Sequence, residues 1–170
     1  MRVPQVGNRF NRWTRHGNMR RYIVSDEIRA LRQAIEAGDY TQALWLIDEM
    51  DEMSRDDKIN KIISYMRVLL IHLIKQAVEK RSTRSWEDSI EESLDSIAAT
   101  NKRRSSGGYY LDDKALATAL TEAWPRALRR ASREAFEGSY AAEHLATQVD
   151  REALLETALR QITERQGTVA

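Results

Sequence analysis

Residues 66–75 read Met-Arg-Val-Leu-Leu-Ile-His-Leu-Ile-Lys, and this stretch decides the fold. Apolar side chains recur around it at the spacing of an α-helix, and they continue over more than one face of that helix. A helix that is apolar on two faces is normally packed on two sides. We therefore expect a helix over residues 54–79 that forms the buried centre of an all-helical core.

Capping and helix-ending residues on either side of this stretch predict further helices. The expected helices run from Ser25 to Gly38, from Asp39 to about Met53, from the cap Ser85 to about Asn101, and from about Asp112 to Phe136, with Pro125 kinking or splitting the last of them. The tail continues with helical spacing and a break near Asp150, and the polar stretch over residues 101–108 is the best candidate for an internal hinge.

No segment shows the apolar–polar alternation of a strand, so the predicted class is all-α. We expect a single bundle of about five to seven helices around the central helix, with an extended basic arm before it. The predicted organisation is an arm over residues 1–24, a helical core over residues 25–137 and a C-terminal helical extension over residues 138–170.

The net charge of +1 conceals an asymmetry along the chain. Residues 1–25 carry six arginines and no acid, whereas the other residues carry 21 basic and 26 acidic side chains. A basic arm on a mildly acidic body is typical of a chain that uses its arm to contact an acidic partner.

The composition excludes several kinds of chemistry. Without any cysteine, the chain has no disulfide, no thiolate metal site and no cysteine nucleophile, which suits a reducing cytoplasm. No apolar run approaches the roughly 20 residues that a membrane-spanning helix needs, and no secretory signal is visible. We expect a cytoplasmic protein that binds no membrane and no cofactor.

Three short motifs occur in a recognisable order. They are Leu-Ile-Asp-Glu-Met-Asp-Glu-Met over residues 46–53, His-Leu-Ile-Lys over residues 72–75 and the pair Ser85-Trp86. This order resembles the uncharacterised bacterial family called "domain of unknown function 29", over roughly residues 27–136. The family's Asp-Trp pair is replaced here by Gln42-Ala43. The resemblance implies a compact helical bundle, in a bacterium or its mobile elements, and implies no established activity, cofactor or catalytic residue.

The basic arm has several interpretations, which the sequence leaves open. An arginine-rich segment with aromatic residues can follow a nucleic-acid backbone and stack on bases, or it can fold onto an acidic protein surface. It also has the composition of an organellar transit peptide, although Pro4 opposes the helix that such peptides form. Met19 is an alternative natural start. The candidate binding residues of the arm are Arg9, Arg12, Trp13, Arg15, Arg20 and Arg21.

A second basic feature is a set of four arginines spaced i, i+3, i+4 and i+7, namely Arg126, Arg129, Arg130 and Arg133. This spacing places all four guanidinium groups on one narrow helix face, where like charges repel. Acidic side chains of neighbouring helices are expected to pair with them internally. Otherwise phosphates or an acidic partner neutralise them from outside, so we count all four as candidate binding residues.

A weaker candidate for chemistry is His72 together with Glu49 and Glu52. A histidine facing a carboxylate-rich helix can hold a divalent metal in a helical bundle. Metal-binding bundles, however, place Glu-x-x-His on one helix, and that motif does not occur here. The alternative is a histidine at the edge of the core that forms a hydrogen bond with a neighbour.

These features predict a non-catalytic helical interaction module that binds a protein partner or, alternatively, nucleic acid. The binding surfaces are the arm and the arginine face. A metal-dependent hydrolase or metal-binding bundle built on His72, Glu49 and Glu52 is the alternative from another class. A component of a toxin–antitoxin or other mobile-element pair is a third hypothesis, based on analogy. The sequence leaves the oligomeric state open.

Overall fold

The computed structural model describes the backbone of residues 16–103 and 107–168, and the side chains of residues 26–103 and 107–167. Over those residues it is all-helical, as predicted, with one isolated bridge between Lys102 and Tyr109 and no strand. The elements are α1 (His16–Glu36), α2 (Tyr40–Glu79), α3 (Arg84–Asn101), α4 (Asp113–Glu134), a 3-10 turn (Ala135–Gly138), α5 (Ala142–Ala146) and α6 (Arg151–Thr168).

The chain comprises two compact units, Met1–Met53 and Ser54–Ala170. Unit 1 contains α1 and the first part of α2. Unit 2 contains the second part of α2 and all the later elements. Each unit has its own cluster of buried apolar side chains.

The second part of α2 is the centre of the core of unit 2, which confirms the central helix expected from residues 66–75. Five of its side chains are fully buried, namely Ile62, Met66, Leu69, Leu70 and Ile74. They share one cluster with apolar side chains of the other helices, including Ile97 of α3, Leu120 of α4, Leu145 of α5 and Ile162 of α6. A helix buried by several neighbours in this way needs apolar residues on more than one face.

Unit 1 is a pair of helices joined by a three-residue turn, and this turn lies where the sequence predicts it. Gly38 has φ +74°, the left-handed conformation that commonly ends helices, and the N–H of Asp39 donates to the carbonyl of Ala34 at 2.9 Å. The Asp39 carboxylate then accepts the N–H of Gln42 at 3.0 Å and caps α2. The shared core is small and consists of Ala34, Ala43 and Leu46.

Three predicted helix starts were wrong. Helix α1 begins at His16 instead of after Ser25, so residues 16–24 of the predicted arm are helical. Its poor helix formers, Gly17 and Asn18, lie in the first turn, and Arg20 and Arg21 favour the helical state. The rest of the predicted arm, residues 1–15, lies outside the described residues.

Ser54 was expected to cap a new helix, but α2 continues through it from Tyr40 to Glu79. No proline or glycine occurs between these ends, and exposed serine and aspartate side chains cost little inside a helix. Ser85 was likewise expected as a cap, yet α3 starts one residue earlier. Thr83 is its N-cap, and its hydroxyl accepts the N–H of Trp86 at 3.3 Å.

Pro125 does not split α4, which runs without interruption from Asp113 to Glu134. Proline removes one backbone hydrogen bond and leaves the carbonyl four residues earlier, that of Thr121, without its donor. Both residues are exposed, so water can satisfy that carbonyl. The expected break near Asp150 is confirmed, because α5 ends at Ala146 and α6 starts at Arg151.

The loop after α3 is closed by hydrogen bonds between its two ends, and Asn101, which forms them, is fully buried. Its side-chain amide donates to the carbonyl of Leu111 at 2.9 Å, and its side-chain oxygen accepts the N–H of Leu111 at 2.8 Å. The carbonyl of Asn101 also accepts the N–H of Tyr110 at 2.8 Å. The predicted hinge is therefore a loop with a fixed base, and residues 104–106 at its tip lie outside the described residues.

Replacing Asn101 with alanine should lower the free energy of unfolding by about 2–4 kcal/mol, because both polar backbone groups of Leu111 lose their partner in a buried site. Urea denaturation followed by circular dichroism measures this change. The matched control is Asn60→Ala at an exposed position of α2, which should alter stability by less than about 0.5 kcal/mol. Equal effects of the two substitutions would contradict the role given to Asn101.

Candidate functional site

The His-Leu-Ile-Lys and Ser-Trp motifs, which lie on different helices, meet in space at Lys75. This lysine is only 7% exposed, and its Nζ lies 4.5 Å from the centre of the Trp86 ring. On the other side, Nζ donates to Oε2 of Glu134 at 3.2 Å. The ammonium group thus exchanges its hydration for a carboxylate and an aromatic face, which are the two partners that compensate best for burying a cation.

A short connection after α2 completes the surroundings of Trp86. Lys80 has φ +50°, so the chain leaves the helix at once and α3 can begin at Arg84. Arg81 then lies with its guanidinium carbon 5.0 Å from the centre of the Trp86 ring. It also pairs with Oε2 of Glu79 at 2.6 Å. Two cations therefore contact the same indole ring.

Glu134, near the end of α4, is the carboxylate that connects this cluster to the arginine face. Its Oε1 accepts from Nε of Arg130 at 2.5 Å, while Oε2 accepts from Lys75. Burial alone would raise the pKa of Glu134, but the hydrogen bonds and charges of Arg130 and Lys75 outweigh it and lower that pKa below 4.5. Glu134 is therefore ionised at neutral pH.

His72 lies one helical turn before Lys75. Its pKa is lowered below 6.5, chiefly because burial disfavours the charged ring and also because Lys75 is positive, with Glu134 opposing the shift. Its Nδ1 atom is buried and has no hydrogen-bond partner among the described groups. His72 is thus a neutral ring beside a buried ion pair.

An open cavity of about 490 Å³ adjoins the cluster and is lined by Glu79, Arg81, Trp86, Glu134, Phe136 and Glu137. Phe136 and Glu137 have φ of +48° and +56°, a conformation that costs residues other than glycine on the order of 1 kcal/mol each. The N–H of Phe136 donates to Oε1 of Glu79 at 3.1 Å, which helps to hold this strained turn. Both oxygens of Glu79 and both of Glu134 already accept hydrogen bonds. The carboxylates of Glu79 and Glu134 in this cavity are therefore already engaged within the protein.

The four arginines lie on the exposed side of α4, opposite its buried residues Trp124, Ala127 and Ala131. Among the described side chains, only Arg130 of the four is paired, with Glu134 of the same helix. One of the expected acids, Glu91 of α3, instead pairs with Arg165 of α6, which also pairs with Asp95 at 2.7 Å. The hydrogen bond with Glu91 is the main reason that the pKa of Arg165 is raised.

Arg126, Arg129 and Arg133 form no ion pair with any described side chain. The expectation that acids of neighbouring helices neutralise the face therefore fails for these three residues. They are the unpaired members of the arginine face, which all four arginines form together.

The family model for "Domain of unknown function DUF29" matches residues 24–157. The chain belongs to this family. The match confirms the resemblance found in the three motifs and reaches beyond residue 136 into α6, whereas most of the basic arm lies before it. Among curated proteins and solved structures, no significant match is found.

The other candidate residues from the sequence lie in different parts of the chain. Glu49 and Glu52 belong to unit 1 and His72 to unit 2. Among residues 26–103 and 107–167, no group of three His, Asp or Glu side chains could hold a metal ion. The arm residues Arg9, Arg12, Trp13 and Arg15 lie outside the described residues. Arg20 and Arg21 lie within the α1 backbone, and their side chains are not described.

Sequence reasoning missed Glu134, Glu79 and Thr83. Glu134 had a detectable signal, because it lies four residues after Arg130 on one helix. Thr83 precedes Trp86 by three residues, the spacing of an N-cap, and competed with Ser85 for that role. No local pattern indicates that Glu79 accepts the N–H of Phe136, since these residues are 57 positions apart.

A double-mutant cycle of Lys75→Met and Glu134→Gln measures how strongly the buried pair is coupled. We expect about 1–2 kcal/mol in the free energy of unfolding, because Lys75 is shielded from water. The matched control is the exposed pair Arg160–Glu164, whose atoms are 4.0 Å apart, and there the coupling should stay below about 0.5 kcal/mol. Coupling as weak as in the control pair would show that Lys75 and Glu134 do not interact in solution.

The lowered pKa of His72 makes stability depend on pH. The unfolded chain binds this proton more readily, so the stability contributed by neutral His72 is complete above about pH 6.5 and is lost as the pH falls. His72→Gln should therefore lose less stability between pH 7.5 and 5.5 than the parent, as measured by urea midpoints. Between pH 7.5 and 8.5, His72→Gln and the parent should change in parallel. Identical losses below pH 6.5 would count against a buried, neutral His72.

Proposed function

We propose that this DUF29 protein is a non-catalytic helical interaction module whose arginine face binds an acidic surface of a protein partner. The observation that carries the proposal is that Arg126, Arg129 and Arg133 are exposed on one side of α4 and have no ion-pair partner among the described side chains. Three unpaired cations on one helix face repel one another, so an external acidic group gains their interaction without breaking an existing pair.

The geometry of the arginine face suits a rigid recognition surface. Arg126 and Arg133 are separated by seven residues, or about 10 Å of helix. The buried residues on the other side of α4, including Ala127 and Ala131, hold the helix on the core. Each guanidinium can form two parallel hydrogen bonds to one carboxylate, which makes arginine a strong binder of acidic side chains at interfaces.

The charge balance favours a protein over nucleic acid. Unit 2 carries 19 basic and 18 acidic side chains, a net charge of +1. Domains that bind nucleic acid usually carry a large basic excess, because most of their affinity comes from phosphate contacts. A small basic face on a nearly neutral unit fits a limited set of carboxylates better. The role of the arm stays a prediction, and no observation on the described residues supports the metal-dependent hydrolase or the toxin–antitoxin hypothesis.

None of the described helices combines the length and the apolar character that crossing a bilayer requires.

A photo-reactive amino acid at position 129 tests the proposal in cells of the source organism. We expect it to cross-link a defined protein, identified by mass spectrometry, whereas the same group at exposed Asp113, on another face of α4, should cross-link less of it. The purified pair then gives a Kd by titration calorimetry. Replacing Arg126, Arg129 and Arg133 with glutamine should weaken binding at least tenfold and reduce its salt dependence.

The matched control for this triple variant removes the same charge elsewhere, by replacing exposed Arg84, Lys114 and Arg151 with glutamine. Its affinity should stay within about threefold of the parent, since distant exposed charges contribute little. If position 129 cross-links DNA or RNA instead, or if both triple variants weaken binding equally, the proposed protein-binding face is wrong.

A further inference from the structure

Unit 1 exposes a stripe of large apolar side chains on each of its two helices. On α1 these are Ile28 and Ile35, which are 49% and 51% exposed. On α2 they are Tyr40, Leu44 and Ile47, which are 69%, 63% and 47% exposed and are spaced i, i+4 and i+7. Contiguous apolar surface of this kind usually marks an interaction site.

Helical geometry places the two stripes on the same side of the helix pair. Along α1, Ile28 and Ile35 lie about 100° around the helix from the buried face at Ala34. Along α2, the stripe lies at about the same angle and in the same rotational sense from the buried face at Ala43 and Leu46. The three-residue turn makes α1 and α2 antiparallel, so equal offsets bring both stripes to one side.

This apolar side is larger than the core that holds the pair together. The shared core comprises three buried residues, two of which are alanines. Two helices alone bury too little apolar surface to be stable, and helices commonly solve this by packing as a four-helix bundle. Two further helices packed against the exposed side would complete such a four-helix bundle.

The charged residues beside the stripes indicate which helices could pack against them. Arg32 borders the stripe on α1, while Asp48 and Asp51 border or extend the stripe on α2. No ion pair joins any of these three to another described side chain. One helix of the pair therefore presents an unpaired cation, and the other presents unpaired anions.

We propose that the occupant is unit 1 of a second copy of this chain, and that the two copies form a four-helix bundle. A two-fold axis parallel to the helices sets α1 of one copy beside α2 of the other. It therefore brings Arg32 to the border that carries Asp48 and Asp51, so both the apolar stripes and the charges are self-complementary. This dimer is independent of the proposed arginine face, which lies on α4 of unit 2.

Sedimentation equilibrium of the full chain from 1 to 100 μM tests the proposal. The parent should approach the mass of two 19.6 kDa chains. Leu44→Glu places a charge in the stripe and should raise the dimer dissociation constant at least tenfold. The matched control is Trp45→Glu, at a neighbouring residue that is 54% exposed but lies on another face of α2, and it should leave the dissociation constant within about threefold.

Charge reversal tests the arrangement without touching the apolar stripe, and circular dichroism verifies that each variant keeps its helix content. Arg32→Glu should weaken the dimer by placing like charges together, and adding Asp48→Arg should restore most of the loss. A parent chain that remains monomeric at 100 μM would overturn the proposal, because another occupant must then cover the stripes. A Leu44→Glu variant that dimerises as tightly as the parent would also overturn the proposal. The same holds if the Arg32→Glu, Asp48→Arg double variant has a higher dimer dissociation constant than Arg32→Glu alone.

Discussion

The architecture of unit 2 depends on covering the second part of α2 on more than one side. Five side chains between Ile62 and Ile74 on this segment are fully removed from water, and no single helix can cover them all. The cluster therefore draws on α3, α4, α5 and α6, whose own apolar faces are buried in return. At roughly 25 cal/mol per Å² of apolar surface, this mutual burial is the largest favourable contribution to folding.

The Lys75 cluster is a consequence of that burial. His72 and Lys75 lie near the C-terminal end of α2, where His72 is half-buried and Lys75 is buried. Trp86 of α3 and Glu134 of α4 contact Lys75 there. A buried ammonium group is costly unless it is paired, and here Glu134 and the Trp86 ring supply the partners. The residues of these family motifs contribute to packing and charge compensation where α2 ends, and Thr83 beside them caps α3.

The sequence was sufficient to predict elements whose signals are local. The buried stripe of α2, the end of α1 at Gly38 and the cap at Asp39 all follow from periodicity or capping. The failures arose where a residue has two local roles, as Ser54 does, since a good cap is also tolerated inside an exposed helix. The site was harder to predict, because Glu134 contacts Lys75 and Glu79 contacts Phe136 across 59 and 57 residues. Local patterns carry no information about such distances.

The two units differ in which of their side chains lack a partner within the unit. In unit 2 these are charged groups, and in unit 1 they are mainly apolar side chains. In unit 2, the charges around Lys75 and Glu134 are compensated internally, which leaves the arginine face of α4 as its conspicuous unpaired feature. In unit 1, the two exposed stripes contain more large apolar side chains than the buried core does. Arg32, Asp48 and Asp51 form no ion pair with another described side chain. The exposed arginines of unit 2 favour an acidic partner, whereas the apolar stripes of unit 1 favour an apolar surface. Under the two proposals above, one chain would associate with itself through unit 1 and keep α4 available for an acidic protein.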